Sequence, residues 1–448
     1  MHRARALGLS LLPWLLSMSL VAGLGPSGAG RLREVFRWGQ MDFMFPSASA
    51  RHAALTSGAF QPANVLPLGL EVWQGRVFVS LPRWKPGIPA TLATVPVDAA
   101  AGARAASAAG ASSSPPLRPY PGWAWHLQSG CDGLTSVFRM AADPCGRLWV
   151  MDSGVEDITQ SFKQKCPPQI LVFDLRTDAL LWRYVIPEAQ TKPGGLFTNI
   201  AVDVRAGRCD DAYAYASDVF RYGLVVYSWR EDRSWRVENP LFFPDPLASK
   251  YDVHGVRFRW TDGVFGLALA PEDALGDRLL FFHPLSSFRE FAVRTSVLRN
   301  ESLAGEQTEA FAPLGEPRAA ERGHASGAAV DRRGVLFYNL VSRDAVGCWN
   351  SRQPAGHRMD LQGIVAQDNV TLQFPNDLKV DQERRQSVWV LSNRLHEYLY
   401  RKLDPREVNF RILTAPVDAA VRGTVCDPDY VYAPARSNFA STGCDANY

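Results

Sequence analysis

Residues 136–154 read SVFRMAADPCGRLWVMDSG: a polar start, an apolar strand, an Asp before a short turn, then a second strand rich in Leu, Trp and Val. The pattern returns at residues 199–218 (NIAVDVRAGRCDDAYAYASD), 262–284 (DGVFGLALAPEDALGDRLLFFHP), 326–340 (SGAAVDRRGVLFYNL) and 374–393 (FPNDLKVDQERRQSVWVLSN). A weaker first copy stands at residues 64–84, NVLPLGLEVWQGRVFVSLPRW. After the weaker first copy the copies recur at roughly 50–65 residues, which marks a repeat architecture in which each copy is one supersecondary unit.

Further strand-like runs follow the copies, among them ILVFDL, LLWRYVIP, GLVVYSW, EFAVRTSVL and EYLYRKL. No long apolar stripe of helical period separates them, and Gly, Pro, Asp and Asn close them, which predicts an all-β fold. Six such units of about four strands each predict a six-bladed β-propeller with four-stranded blades over residues 31–430. Two β-sandwiches would use similar strands but would leave the recurring period unexplained. The strand EVFRW, residues 34–38, is expected to pair with the last blade and close the ring, removing exposed sheet edges. Residues 98–116, DAAAGARAASAAGASSSPP, hold too little apolar area to offset ordering entropy and predict a disordered surface loop in the first blade.

Across 448 residues, 48 Lys+Arg face 45 Asp+Glu for a formal charge of +3. The charges are interleaved, which excludes the clustered basic face that nucleic-acid binding needs. At the N-terminus, His2, Arg3 and Arg5 precede an apolar run over residues 7–21, followed by Ala22, Gly23 and Gly25. That order describes a secretory signal peptide, residues 1–25. The run is shorter than the ~18–20 apolar residues of a membrane span, and Pro13 interrupts it. A secreted, extracellular chain with no membrane span is expected.

The seven cysteines form no CxxC pair, so they read as long-range disulfides of an exported protein. Cys131 begins one strand and Cys166 the strand two further on, which places both on one rim and predicts Cys131–Cys166. Cys145 and Cys209 occupy equivalent turns of neighbouring blades, and Cys348 with Cys426 remains. Cys444, in a C-terminal tail over residues 431–448, is the thiol left over. The sequons at Asn300 and Asn369 are expected to carry glycans.

In a propeller the first strand of each blade lines the central channel. Stacking the copies brings Ser136, Asn199, Ser326, Asn376 and Asp377 to its entrance, with Thr135, Thr198 and Phe265 beside them. Polar groups beside an aromatic ring suit a small aromatic, hydroxylated or amine ligand. The same residue types also serve to satisfy strand-end backbone groups and channel waters. Asp143, Asp203, Asp331 and Asp381, which end the first strand of their copies, read as turn formers rather than catalytic groups. No HExxH, GxSxG or glycine-rich phosphate loop is present, and the reading calls for no metal and no cofactor.

The stretches WGQMDFMFPS, GLEVWQGRVFVSLPRWKPGIPATLATV, PYPGWAW, CDGLTSVFRMAADPCGRLWVMDSG, FYNLVSRDAVGCWN and WVLSNRL occur in this order between residues 33 and 426. In them the chain resembles the yellow/major royal jelly protein family of insects. The resemblance implies a secreted, glycosylated six-bladed propeller. It implies a part in cuticle melanisation, either as a dopachrome-converting isomerase or as a non-catalytic binder of catechols and biogenic amines, or a structural cuticle protein. A fold shared by enzymes and binders does not decide between them. A metal-dependent propeller hydrolase, holding Ca²⁺ through channel Asn and Asp oxygens, is a more distant alternative. A tautomerase needs a general base for the ring proton and a donor for the developing phenolate. By position, His324 and Asp377 are the expected candidates for the base.

Overall fold

The computed structural model describes residues 31–99, 114–127, 130–205, 207–319 and 321–431. The signal peptide, Cys444 and most of the 98–116 segment and of the tail lie outside these residues. Six four-stranded antiparallel sheets follow one another around a ring. Their innermost strands are Gly69–Trp73, Val137–Ala142, Phe197–Val204, Val264–Leu269, Ala325–Val330 and Pro375–Val380, one from each copy of the repeat. In blades one to five the chain moves outward strand by strand, as in the second blade, through Arg147–Asp152 and Gln169–Asp174 to Leu180–Val185. The sixth blade runs Pro375–Val380, Ser387–Ser392, Phe410–Pro416 and is completed by the N-terminal strand Arg33–Trp38. Pairing of Arg33 with Thr414 through Trp38 with Phe410 closes the ring as expected.

The turn residues behave as their chemistry dictates. Asp143 accepts from the backbone N–H of Cys145 and Arg147 and, at 2.9 Å, from the indole N–H of Trp149. Asp381 repeats the device with Glu383, Ser387 and Trp389. Asp331 holds Arg333 and Val335. Asp203 departs from it, taking the guanidiniums of Arg278 and Arg299 and the hydroxyl of Tyr215. A carboxylate that satisfies several buried donors locks the inner hairpin, and leaving one such donor unsatisfied costs ~1–3 kcal/mol.

The three bridges pair as read from the sequence. Cys131–Cys166 spans Cα atoms 5.6 Å apart, Cys145–Cys209 ties the second blade to the third, and Cys348–Cys426 fastens the C-terminal segment to the fifth. Asn300 and Asn369 are exposed. No helix of the described residues is long and apolar enough to cross a membrane.

Two features position the site. A hairpin, Lys250–Val253 with Val256–Arg259, stands apart from the blades and turns at His254 and Gly255, both at positive φ. Its inward residues Tyr251, Val253, Val256 and Phe258 are buried in the same apolar cluster as Leu395 and Tyr398 of the helix Leu395–Tyr400. Then, near the start of five inner strands, the register with the second strand slips. The slip falls at Phe138, Thr198, Phe265, Ser326–Gly327 and Asn376, while Gly69–Trp73 stays in register. A β-bulge bends its strand and re-aims the extra side chain.

Candidate functional site: an aromatic cavity at the upper end of the channel

At the end where the inner strands begin, a cavity of about 290 Å³ opens against the Leu395–Tyr400 helix and the residues that follow the hairpin, Trp260 and Asp262. Four of the bulge residues, Phe138, Thr198, Phe265 and Asn376, line it. Trp84, Phe220, Trp260, Phe374 and Tyr400 complete aromatic walls, and Leu196, Leu285 and Leu399 fill the gaps between them. Among the described residues, Asp262 is the only charged side chain in this lining.

Asp262 is half-buried, and no side-chain hydrogen bond or ion pair engages its carboxylate among the described residues. Burial alone pushes its carboxyl up to about 7, because the apolar walls disfavour the ionised form. Asn376 is 2% exposed and its side-chain nitrogen has no partner among the described residues. A buried amide donor without an acceptor is costly unless a ligand or ordered water takes it up. Thr198 shares its hydroxyl with Ser217 at 3.2 Å.

Below this cavity the channel is filled. Arg139, wholly buried, lies 4.4 Å from the Phe265 ring centroid, donates to the Asn376 carbonyl and approaches Asp377 at 3.5 Å. Glu71 accepts from the N–H groups of Val72 and Ala142 and faces Lys379 at 4.0 Å. Burial pushes Glu71 up to about 7, with Lys379 opposing.

The sequence-derived site residues divide accordingly. Thr198, Phe265 and Asn376 line the cavity, and Thr135, Ser136, Asn199, Ser326 and Asp377 are absent from its lining. The N–H groups of Thr135 and Ser136 are held by Asp152, and the Ser136 hydroxyl accepts from Arg83 N–H. Asn199 donates to the Phe265 carbonyl, Ser326 to the Pro375 carbonyl, and Asp377 accepts from the N–H of Leu70. These three cross-link adjacent inner strands. The bulge is the physical reason for the split, since one slipped residue changes which neighbour points inward.

His324 is placed elsewhere. Its ring lies 3.8 Å from that of Tyr251 under the hairpin, with Nδ1 bonded to Ser342 Oγ and Nε2 to the Ala248 carbonyl. It borders an outer groove rather than the cavity, and burial pushes it down to about 4. Sequence reasoning passed over Asp262, Trp260 and Tyr400. The first of them carried a signal: it opens the fourth repeat copy, where four of the other five open on Ser or Asn.

The family model described as major royal jelly protein matches residues 135–426. Dopaminechrome tautomerase of Drosophila melanogaster is 42% identical over 410 residues, covering 90% of this chain and 85% of that protein. Protein yellow of Drosophila erecta is 41% identical over 418 residues, 92% of this chain and 74% of that protein. Among solved structures, virginiamycin B lyase from Staphylococcus aureus superposes with a TM-score of 0.40 at 9% identity, over 79% of this chain and 96% of its own, too distant to bear on the site. With the family match spanning well over half of its length and relatives above 40% identity along nearly all of it, the chain belongs to the yellow/major royal jelly protein family.

Proposed function

We propose that this protein is a secreted isomerase of catechol-derived aminochromes, acting in melanin or cuticle pigmentation, with Asp262 as its general base. The observation that carries the reading is a lone carboxylate, without a hydrogen bond or ion pair among the described residues and pushed up to about 7, in an aromatic cavity. A base titrating near the working pH combines a useful ionised fraction with real basicity. Tautomerisation of an aminochrome to a dihydroxyindole moves protons from saturated ring carbons to quinone oxygens and needs neither oxidant nor reductant. Aromatic walls stack the bicyclic ring, Asp262 takes the carbon-bound proton, and the free Asn376 amide offers a hydrogen bond to an oxygen as it gains charge. The dopaminechrome tautomerase relative supports the substrate class. The three disulfides suit an oxidising compartment outside the cell.

One observation favours a second reading. Aromatic faces around a single carboxylate also attract a cationic amine, through cation–π contact and ion pairing. A binder of biogenic amines would use the same groups without turnover. Following dopaminechrome absorbance with purified protein, beside calorimetry with dopamine and serotonin, separates the two. Accelerated decay with first-order dependence on protein supports the isomerase; amine binding without decay supports the binder.

A further inference from the structure

Resting on the aminochrome reading, we infer that Tyr400 is a second catalytic residue, the donor that delivers a proton to the quinone oxygen, and that Trp260 positions it. Two geometric observations carry this. The first is how Tyr400 is held. Trp260 Nε1 donates to Tyr400 Oη at 2.7 Å, and Phe258 stacks on the phenol ring at 4.9 Å and 22°. The indole N–H occupies an acceptor site of the phenol oxygen, so the hydroxyl hydrogen is left for another acceptor. The second is what else the segment carries. Trp260 and Asp262 are separated only by Thr261, and both line the cavity that Tyr400 lines. One short stretch after the hairpin therefore supplies the base and anchors the donor.

Burial and the Asp262 carboxylate push the Tyr400 phenol up from its ordinary value, the Trp260 bond opposing them. The phenol stays protonated throughout the range in which Asp262 ionises, which is the pairing of acid and base that two-site proton transfer requires.

The step balances. Asp262 accepts the proton of a saturated ring carbon, and the C–H electron pair becomes a ring double bond. Conjugation moves the carbonyl π pair onto oxygen, which takes the hydroxyl proton of Tyr400. The Asp262 carboxyl returns its proton to the tyrosinate through solvent. Repetition at the second saturated carbon protonates the second oxygen, and no electron enters or leaves.

The test is steady-state turnover of dopaminechrome by wild type, Tyr400→Phe, Trp260→Phe and Asp262→Asn, with folding checked by circular dichroism and dopamine affinity by calorimetry. For Tyr400→Phe the expectation is a kcat lowered about 10–100-fold with KM and dopamine affinity nearly unchanged, the range expected of one acid–base group. The solvent deuterium isotope effect on kcat should shrink as well. Trp260→Phe should lower kcat about 3–10-fold, since it loosens the donor without removing it. Tyr400→Phe within two-fold of wild type, while Asp262→Asn loses turnover, overturns the assignment of Tyr400 and leaves the isomerase reading intact. Absence of turnover in the wild type overturns both. Should Tyr400→Phe misfold, Trp260→Phe decides: loss of kcat at constant dopamine affinity supports the inference, and unchanged kcat refutes it.

Discussion

Asp262 lies in the open upper half of the channel and Glu71 in its filled lower half, and burial pushes both carboxyls up to about 7. Their surroundings differ in every other respect. Glu71 is 5% exposed, accepts two backbone N–H bonds and faces Lys379. Asp262 borders a cavity, and its carboxylate takes no hydrogen bond or ion pair among the described residues. A shifted carboxyl is therefore not a functional mark by itself; structural networks shift groups too. What separates the two is whether the oxygens are already spoken for. The lower half uses its charge to join inner strands from different blades, and the upper half keeps one charge in reserve.

The sharpest way to break this contrast is to neutralise both. Asp262→Asn should lower kcat/KM for dopaminechrome about 10²–10⁴-fold, the range of a general base. The residual rate should lose its rise through neutral pH, because only the ionised carboxylate of the wild type accepts the proton. Glu71→Ala should leave kcat/KM within about three-fold. It strands two buried N–H donors and the Lys379 ammonium, so its cost falls on stability, ~2–4 kcal/mol in a denaturant titration. If Glu71→Ala abolished turnover without unfolding, or Asp262→Asn were fully active, the two halves would not divide the labour in this way.

A thermodynamic signature follows from the same shift. The Asp262 carboxyl has its pKa raised on folding from an ordinary value of 3.8 to about 7. Between these values the folded state binds more protons than the unfolded one, so stability falls as pH rises across the window and is level above it. Three units at ~1.4 kcal/mol each, halved for partial exposure to solvent, give about 2 kcal/mol. Asp262→Asn should therefore be more stable than wild type by about 2 kcal/mol at pH 8 and equal to it near pH 4. Melting curves at the two pH values test this. A variant gaining the same amount at both would show that the charge has nothing to do with it. Gain of stability on losing the base is the usual trade at a site strained for function.

The blades were legible because their determinants are local. Alternation marks strands such as Arg147–Asp152, and Asp143 or Asp381 marks the turn that must satisfy its own N–H groups. Cysteine pairs followed once the strands were placed. The cavity was less legible because a bulge leaves no signature when ordinary residues occupy it. Phe138 and Thr198 bulge without a glycine, so repeat stacking placed Ser136 and Asn199 in the channel, where hydrogen bonds to the backbone in fact hold them. The hairpin Lys250–Val253 and Val256–Arg259 belongs to no repeat copy, and with it went Trp260 and the clamp on Tyr400. His324 lies only two residues before Ser326, yet that short distance carries it from the channel to the hairpin's underside.

The smallest effect concerns which aminochrome the upper cavity takes. Among the described residues its lining has one formal charge, negative, and neither Lys nor Arg. Arg139, a buried cation in the floor, lies behind Phe265 and already faces Asp377. A ring bearing a carboxylate would bring a second negative charge into a partly desolvated space without a counter-ion, raising the Asp262 carboxyl further and opposing binding. Dopachrome should thus show a KM about ten-fold above that of dopaminechrome, some 1.4 kcal/mol, because the open mouth leaves the carboxylate partly hydrated. In Asp262→Asn the like-charge term disappears, so calorimetric affinities for a carboxylated and a decarboxylated catechol should converge. Equal KM values in the wild type would mean that the carboxylate stays in bulk water, and that the cavity reads the ring alone.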